Sequence, residues 1–208
     1  MSLTSAKANF TYVYVAEIPY GELKELYPKE RQLEIKHTKN EKLKREKYYV
    51  WRLLEYALAE SFEKSISELE FTKHESGRWS TPFCEFSLSH TDGVVAVAIS
   101  NETVGVDVEV IKPRHNDKTA ERIMTAEEYN KYQNLPESER TEFFLSVWTR
   151  KEAVFKSLHL DSFVPCRDYY DSGITLKTKI LFVKDEKAIV SVASRNKDVI
   201  FFDVVHLI

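Results

Sequence analysis

Asp107 and Glu109 stand one residue apart in VDVEV, a run otherwise made of valine. On a strand the side chains alternate between faces, so both carboxylates project to one side and Val106, Val108 and Val110 to the other. Taken alone, the pair fits a half-solvated sheet face. Two adjacent like charges repel, however, and a divalent cation makes the arrangement favourable. An all-oxygen ligand set suits Mg²⁺, which takes one or two carboxylates together with substrate phosphates and water. A second set lies in WTRKEAVFK, where Glu152 and Lys156 are four residues apart on one helix face. Alone, they read as a surface ion pair worth about 0.3–0.5 kcal/mol. Trp148 and Phe155 crowd the same stretch and point to a packed helix. If Glu152 reaches the groove of Asp107 and Glu109, three carboxylates and a lysine make a site for metal-assisted phosphate chemistry. The acids hold Mg²⁺, the lysine meets a phosphate oxygen, and one acid accepts a proton.

Ser89 and His90 close a strand just before Thr91-Asp92-Gly93. A hydroxyl and an imidazole suit phosphate binding. As neighbours on a strand they point to opposite faces, so they do not pair as a hydrolase couple, and no GxSxG elbow occurs elsewhere. None of His37, His74, His90, His115, His159 and His206 forms HExxH or a tight cluster with cysteine, which argues against zinc.

The elements that must position these residues follow from periodicity. FTYVYVAEI (10–18) is aromatic and β-branched, hence a strand. Apolar residues at helical spacing mark a helix over 40–64. Short strands follow at 69–74, 84–90, 94–100 and 103–111, with turns at 91–93 and 100–102. Residues 115–135 read as short helices, with Thr125 and Glu128 as a capping box. A long helix covers 138–158, and strands at 174–183, 188–194 and 199–207 close the chain. Each half therefore reads as helix plus antiparallel strands. The expected fold class is α+β, with two similar halves, 1–112 and 113–208, packed closely in a pseudo-twofold arrangement around a groove. The first half carries the Asp-x-Glu pair, and the second carries the Glu152 helix.

Bulk properties narrow the function. With 208 residues, a net charge of −3 and 43% hydrophobic residues, this is the composition of an ordinary globular protein. No basic field points to nucleic acid. Only five glycines occur, with neither GxGxxG nor a P-loop pattern. Cys84 and Cys166 lie far apart and read as thiols of a reducing compartment. No stretch has the length of a membrane span or the pattern of a signal peptide, so a cytoplasmic location is expected.

Three segments resemble motifs of the 4′-phosphopantetheinyl transferases, in the family's order and spacing. GVDVE (105–109) resembles its G-[IV]-D-[IVL]-E motif, WTRKEAVFK (148–156) its W-[ST]-x-K-E-[AS]-x-x-K motif, and FSLSH (86–90) its F-[NS]-[IVL]-S-H segment. Length and the two similar halves look like the Sfp type, a monomeric pseudo-dimer. The resemblance implies transfer of 4′-phosphopantetheine from coenzyme A to a serine of an acyl or peptidyl carrier protein, as a holo-[acyl-carrier-protein] synthase does, with release of adenosine 3′,5′-bisphosphate. It also implies Mg²⁺ on Asp107, Glu109 and Glu152, with Glu152 accepting the serine proton and Lys156 stabilising phosphate charge. His90 and Ser89 would meet a coenzyme A phosphate. By the same resemblance a basic residue early in the first long helix, Lys44 or preferably Arg45, meets coenzyme A, as does Arg78. Here Trp79-Ser80-Thr81 separate Arg78 from Pro82, a departure from the family's G-[KR]-P. His159 stands where the family has a glycine. Two other readings stay open: a non-catalytic module binding coenzyme A or carrier protein, and a Mg²⁺-dependent enzyme acting on a nucleotide pyrophosphate without a protein acceptor.

Overall fold

The computed structural model of the chain describes residues 9–112, 117–160, 173–183, 185–202 and 205–207. Strand β1 (Phe10–Glu17) is followed by helices α1 (Lys29–Lys36) and α2 (Glu41–Phe62). Asn40 starts α2: its side-chain oxygen accepts from the Leu43 N–H at 2.9 Å, which satisfies one of the donors a helix start leaves unpaired. Val50, Leu53, Leu54, Ala57 and Leu58 of α2 are buried at spacings of three and four, forming its apolar stripe. Short strands β2 (Thr72–Lys73) and β3 (Trp79–Ser80) pair with each other.

Strands β4 (Glu85–Thr91), β5 (Val94–Ser100) and β6 (Val104–Val110) come next. Asp92 and Gly93 join β4 to β5, both at positive φ (35° and 87°), as a two-residue hairpin loop of matching twist requires. Helices α3 (Asp117–Ile123), α4 (Ala126–Asn134) and α5 (Glu137–Ser157) follow. The Thr125–Glu128 capping box at the start of α4 is complete, with both bonds formed. Strands β7 (Thr175–Val183), β8 (Glu186–Ser194), β9 (Asp198–Phe201) and β10 (Val205–His206) close the described chain.

The strands form two main sheets, ordered β10-β1-β5-β4 and β6-β8-β7, with β9 also on β1. Pairing is antiparallel except that β9 and β10 run parallel to β1. The fold is thus α+β with mainly antiparallel sheets, as expected. The sheets do not divide at residue 112. β6, from the first half of the chain, joins the second sheet, and β9 and β10, from the second half, join the first. The Asn196 side chain secures this exchange by donating to Phe10 O, Ser100 Oγ and Asn101 Oδ1 at 2.8–3.0 Å.

Alternation along the strands sorts the core. Val13, Val15, Ala96 and Ala98 of the first sheet meet Val106, Val108, Val190 and Val192 of the second. The other face of the first sheet, with Tyr14, Val95, Val97 and Ile99, packs against Trp51, Leu54 and Leu58 of α2. On the second sheet, Ala193 of β8 meets Ala153 and Val154 of α5. α5 also lies directly on Gly105 of β6: a Cβ there would fall 1.9 Å from Ala153 O and 2.5 Å from Ser157 N. Only glycine lets the helix approach this closely, and that approach brings Lys156 to the strand carrying Asp107. Helix α1 has no counterpart in the sequence reading. Its buried residues are Arg31 and Ile35, so it shows no apolar stripe. The strand expected at 69–74 shrinks to Thr72–Lys73, and that expected at 199–207 splits into β9 and β10. Among the described residues no helix is long and apolar enough to cross a membrane.

Candidate active site

β4 and β6 meet along their edges through serine side chains. Ser87 Oγ accepts from Val106 N–H at 3.0 Å, and Ser89 Oγ accepts from Val108 N–H at 3.3 Å. These two hydroxyls, two residues apart, face β6 because side chains of a strand repeat with period two. Ser89 then donates to Asp107 Oδ1 at 2.7 Å. From the last turn of α5, Lys156 Nζ donates to the same Oδ1 at 2.7 Å, to Val106 O at 3.2 Å and to Ser89 Oγ at 3.3 Å. Asp107, Ser89 and Lys156 therefore form one hydrogen-bonded cluster across β6, β4 and α5.

The other oxygen of Asp107 is different. Oδ2 is buried and, among the described residues, accepts no hydrogen bond. Leaving such a group unsatisfied costs about 1–3 kcal/mol or more, so it marks a place where an incoming partner is accommodated. Glu109, on the same face of β6, accepts from Thr91 Oγ1 at 3.1 Å. Glu152 sits one turn before Lys156 on α5. Burial raises its carboxyl above the usual range, Lys156 pulls it down, and Asp107 and Glu109 push it up. Glu152 thus lies within electrostatic reach of both strand acids and of the lysine. Among the described residues, no three His, Cys, Asp or Glu side chains are grouped closely enough to hold a metal ion. The three acids are neighbours rather than a closed ligand set. Their chemistry still fits a hard divalent cation: oxygen donors only, one of them buried and unpartnered.

Beside this cluster opens a cleft of about 590 Å³. Arg31, Lys47, Lys73, Arg78, His90 and Lys156 line it, along with Glu34, Trp79 and His159. His90 Nδ1 lies 3.2 Å from Oε2 of Glu46, a buried carboxylate of α2. Burial lowers the imidazole below its usual value against the pull of Glu46, which raises it. Arg78 enters the cleft beside His159, with Nη1 3.4 Å from the imidazole Nε2. His159 holds a left-handed backbone, φ 52°, which is the conformation a glycine adopts without cost. The chain thus makes a turn that favours glycine and adds an imidazole to the cleft wall.

The structure therefore brings together Asp107, Ser89 and Lys156 by direct bonds and sets Glu109 and Glu152 beside them, with His90 and Arg78 on the cleft. It does not bring Arg45 to that cleft. The Arg45 guanidinium donates to the carbonyls of Pro19 and Gly21 and lies over the Tyr49 ring, beside a separate depression. Lys44 pairs with Glu41 on the helix surface. The cations that do face the cleft, Arg31, Lys47 and Lys73, were not singled out from sequence. For Lys47 a signal existed: it lies three residues before Val50, on the buried face of α2. Arg31 and Lys73 come from a helix without an apolar stripe and from a two-residue strand, and carried none. Lys151, the neighbour of Glu152 in the motif, has a structural role. Its buried Nζ donates to Ile123 O and Glu128 Oε2 at 2.8 and 2.9 Å, tying α5 to α4 and the end of α3.

Residues 103–194, which contain β6 and α5, match the family model described as the 4′-phosphopantetheinyl transferase superfamily. The 4′-phosphopantetheinyl transferase gsp of Aneurinibacillus migulanus is 32% identical over 104 residues, covering 48% of this chain and 42% of that protein. Sfp of Bacillus subtilis (strain 168), another 4′-phosphopantetheinyl transferase, is 28% identical over 120 residues, 53% of either chain. The Escherichia coli (strain K12) transferase AcpT is 37% identical over 73 residues, 34% of this chain and 37% of its own. The matches span about half or less of these relatives' lengths. Over residues 103–194 the chain is thus similar to the 4′-phosphopantetheinyl transferase superfamily, and over about half its length to Sfp-like transferases.

Proposed function

We propose that the protein transfers 4′-phosphopantetheine from coenzyme A to a serine hydroxyl of an acyl or peptidyl carrier protein. The observation that carries this reading is the carboxylate of Asp107, with one oxygen held by Lys156 and Ser89 and the other buried and open, at the side of a cleft lined with cations. Phosphoryl transfer needs alignment and charge neutralisation more than a nucleophile supplied by the enzyme. Cations for phosphates and acids for a metal and a proton meet that need.

In this mechanism the carrier serine Oγ bonds to the phosphorus that bears the pantetheine arm. The bond from that phosphorus to the oxygen of the departing adenosine bisphosphate breaks. Glu152 takes the serine proton, directly or through water. Burial and the neighbouring acids raise its carboxyl, which makes it a better base than an ordinary carboxylate. Lys156 donates to a phosphate oxygen as charge builds on the leaving group. His90, with Ser89 nearby, and Arg78 hold coenzyme A phosphates. Asp107, Glu109 and Glu152 would hold Mg²⁺, which when bound neutralises pyrophosphate charge. Arg45 keeps the loop at 19–21 in place. We read α2 with the first sheet and α5 with the second as pseudo-twofold halves of a monomer.

Intact-mass analysis of an apo carrier protein mixed with the enzyme, coenzyme A and Mg²⁺ tests the proposal. The expected result is a carrier heavier by one phosphopantetheine group. Coenzyme A binding with no carrier in a broad panel modified would favour a binding module instead. Cleavage of coenzyme A with the carrier unmodified would favour a pyrophosphate-cleaving enzyme.

A further inference from the structure

The cationic end of the cleft already holds an anion of its own. Glu34, on α1, accepts from Arg31 Nη1 at 3.0 Å, Lys73 Nζ at 3.1 Å and Trp79 Nε1 at 3.1 Å through Oε2, and from Lys47 Nζ at 3.1 Å through Oε1. These partners come from α1, α2, β2 and β3, so four separate elements converge on one carboxylate. Every one of these residues lines the cleft. The group stays ionised: burial alone would raise it, but Arg31, Lys47, Lys73 and Trp79 hold it down at about 2. Donors converging in this way from an arginine, two lysines and an indole N–H are what a phosphate oxygen seeks. Three cations against one carboxylate leave an excess of two positive charges, the complement of a phosphate monoester dianion.

We infer that Glu34 is a specificity-determining residue: an internal carboxylate that occupies the phosphate-binding cations of the cleft and that a terminal phosphate of the donor must displace or share them with. This rests on the coenzyme A reading above. It deepens it by naming the group that limits how tightly the donor's phosphate monoester is held. With Glu34 present, an incoming dianion meets a like charge and competes for hydrogen bonds already made. Without it, the same cations are free and carry one more net charge. The 3′-phosphate of coenzyme A is a monoester dianion, whereas 3′-dephospho-coenzyme A lacks that group. The two ligands therefore separate an effect on this phosphate from an effect on the rest of the molecule.

The test is calorimetric binding of coenzyme A and 3′-dephospho-coenzyme A to the wild-type protein and to Glu34→Gln, each checked for folding by circular dichroism. The expected result is that Glu34→Gln tightens coenzyme A at least tenfold, about 1.4 kcal/mol, and leaves the dephospho ligand nearly unchanged. An affinity ratio that stays the same or falls in the variant overturns the inference. If Glu34→Gln does not fold, Glu34→Asp takes its place: the shorter side chain withdraws the carboxylate from the cations, and the ratio must rise in the same direction. If the wild type binds neither ligand, the coenzyme A reading fails by itself. Inorganic phosphate then serves as the probe, and tighter binding to the Glu34 variant is still required.

Discussion

Two carboxylates, Glu34 in the wall of the cleft and Asp107 beside it, are bonded in opposite ways. Both are largely buried, with side-chain exposures of 8% for Asp107 and 18% for Glu34. Both lie against cations. Glu34 has both oxygens occupied, by three cations and an indole. Asp107 has one oxygen occupied, by Lys156 and Ser89, and one buried with no partner among the described residues. A saturated buried carboxylate stabilises the fold, whereas an unsatisfied one costs free energy and persists where a ligand supplies what is missing. In the proposed function, the acid that costs stability serves the chemistry. The acid that contributes stability belongs to the architecture of the cleft, and by the inference above it tempers what the cleft binds. This is the usual opposition between stability and activity, set out on either side of the cleft wall.

Substitutions that separate the two roles should have opposite signatures. The largest effect is expected for Asp107→Ala: loss of transfer by about 10³-fold or more, measured as modified carrier per unit time. Its thermal unfolding midpoint should stay close to the wild type, because the substitution also removes the unsatisfied oxygen. Lys156→Ala should slow the chemical step by about 10²-fold and weaken coenzyme A binding less. Single-turnover kinetics alongside equilibrium binding distinguish the two, and a change confined to affinity would remove its role in the transition state.

Glu34→Gln should instead destabilise the protein by about 2–3 kcal/mol at neutral pH, read from denaturant unfolding. The sign follows from a folded value of about 2, below the ordinary carboxylate value of 4.5. The stabilisation is fully present above the unfolded value and is lost as pH falls through about 2. Wild type and variant should therefore converge in acid. A gap independent of pH would mean that packing, not charge, holds Glu34. Arg45→Ala should have the smallest effect, about 1 kcal/mol of stability from the lost bonds to the 19–21 loop. Coenzyme A affinity should be unchanged, and a clear loss of affinity would restore Arg45 as a direct contact.

The same comparison explains what the sequence disclosed. The Asp107 end is built from residues close together in short motifs. VDVEV fixes its face by strand alternation, FSLSH places Ser87 and Ser89 two apart toward β6, and KEAVFK sets Glu152 and Lys156 one helical turn apart. Gly105 lets the helix reach the strand. Local periodicity carries each of these, and only their convergence required the structure. The Glu34 end has no such signature. Its residues come from α1, which lacks an apolar stripe, from one position of α2, and from a hairpin of two-residue strands. Their meeting depends on long-range packing that no periodicity encodes. The exchange of β6, β9 and β10 between sheets was hidden for a similar reason: alternation identifies strands but not their partners.

The most direct test of the catalytic assignment is intact-mass analysis of one apo carrier protein with coenzyme A, run with and without Mg²⁺, on the wild type and on Asp107→Asn. Asparagine keeps the shape of the side chain and a carbonyl for Lys156 while removing the charge. The expected result is phosphopantetheine addition by the wild type only with Mg²⁺, and none by the folded variant under either condition. Equal modification by Asp107→Asn would contradict the assignment of the open carboxylate oxygen to the chemistry.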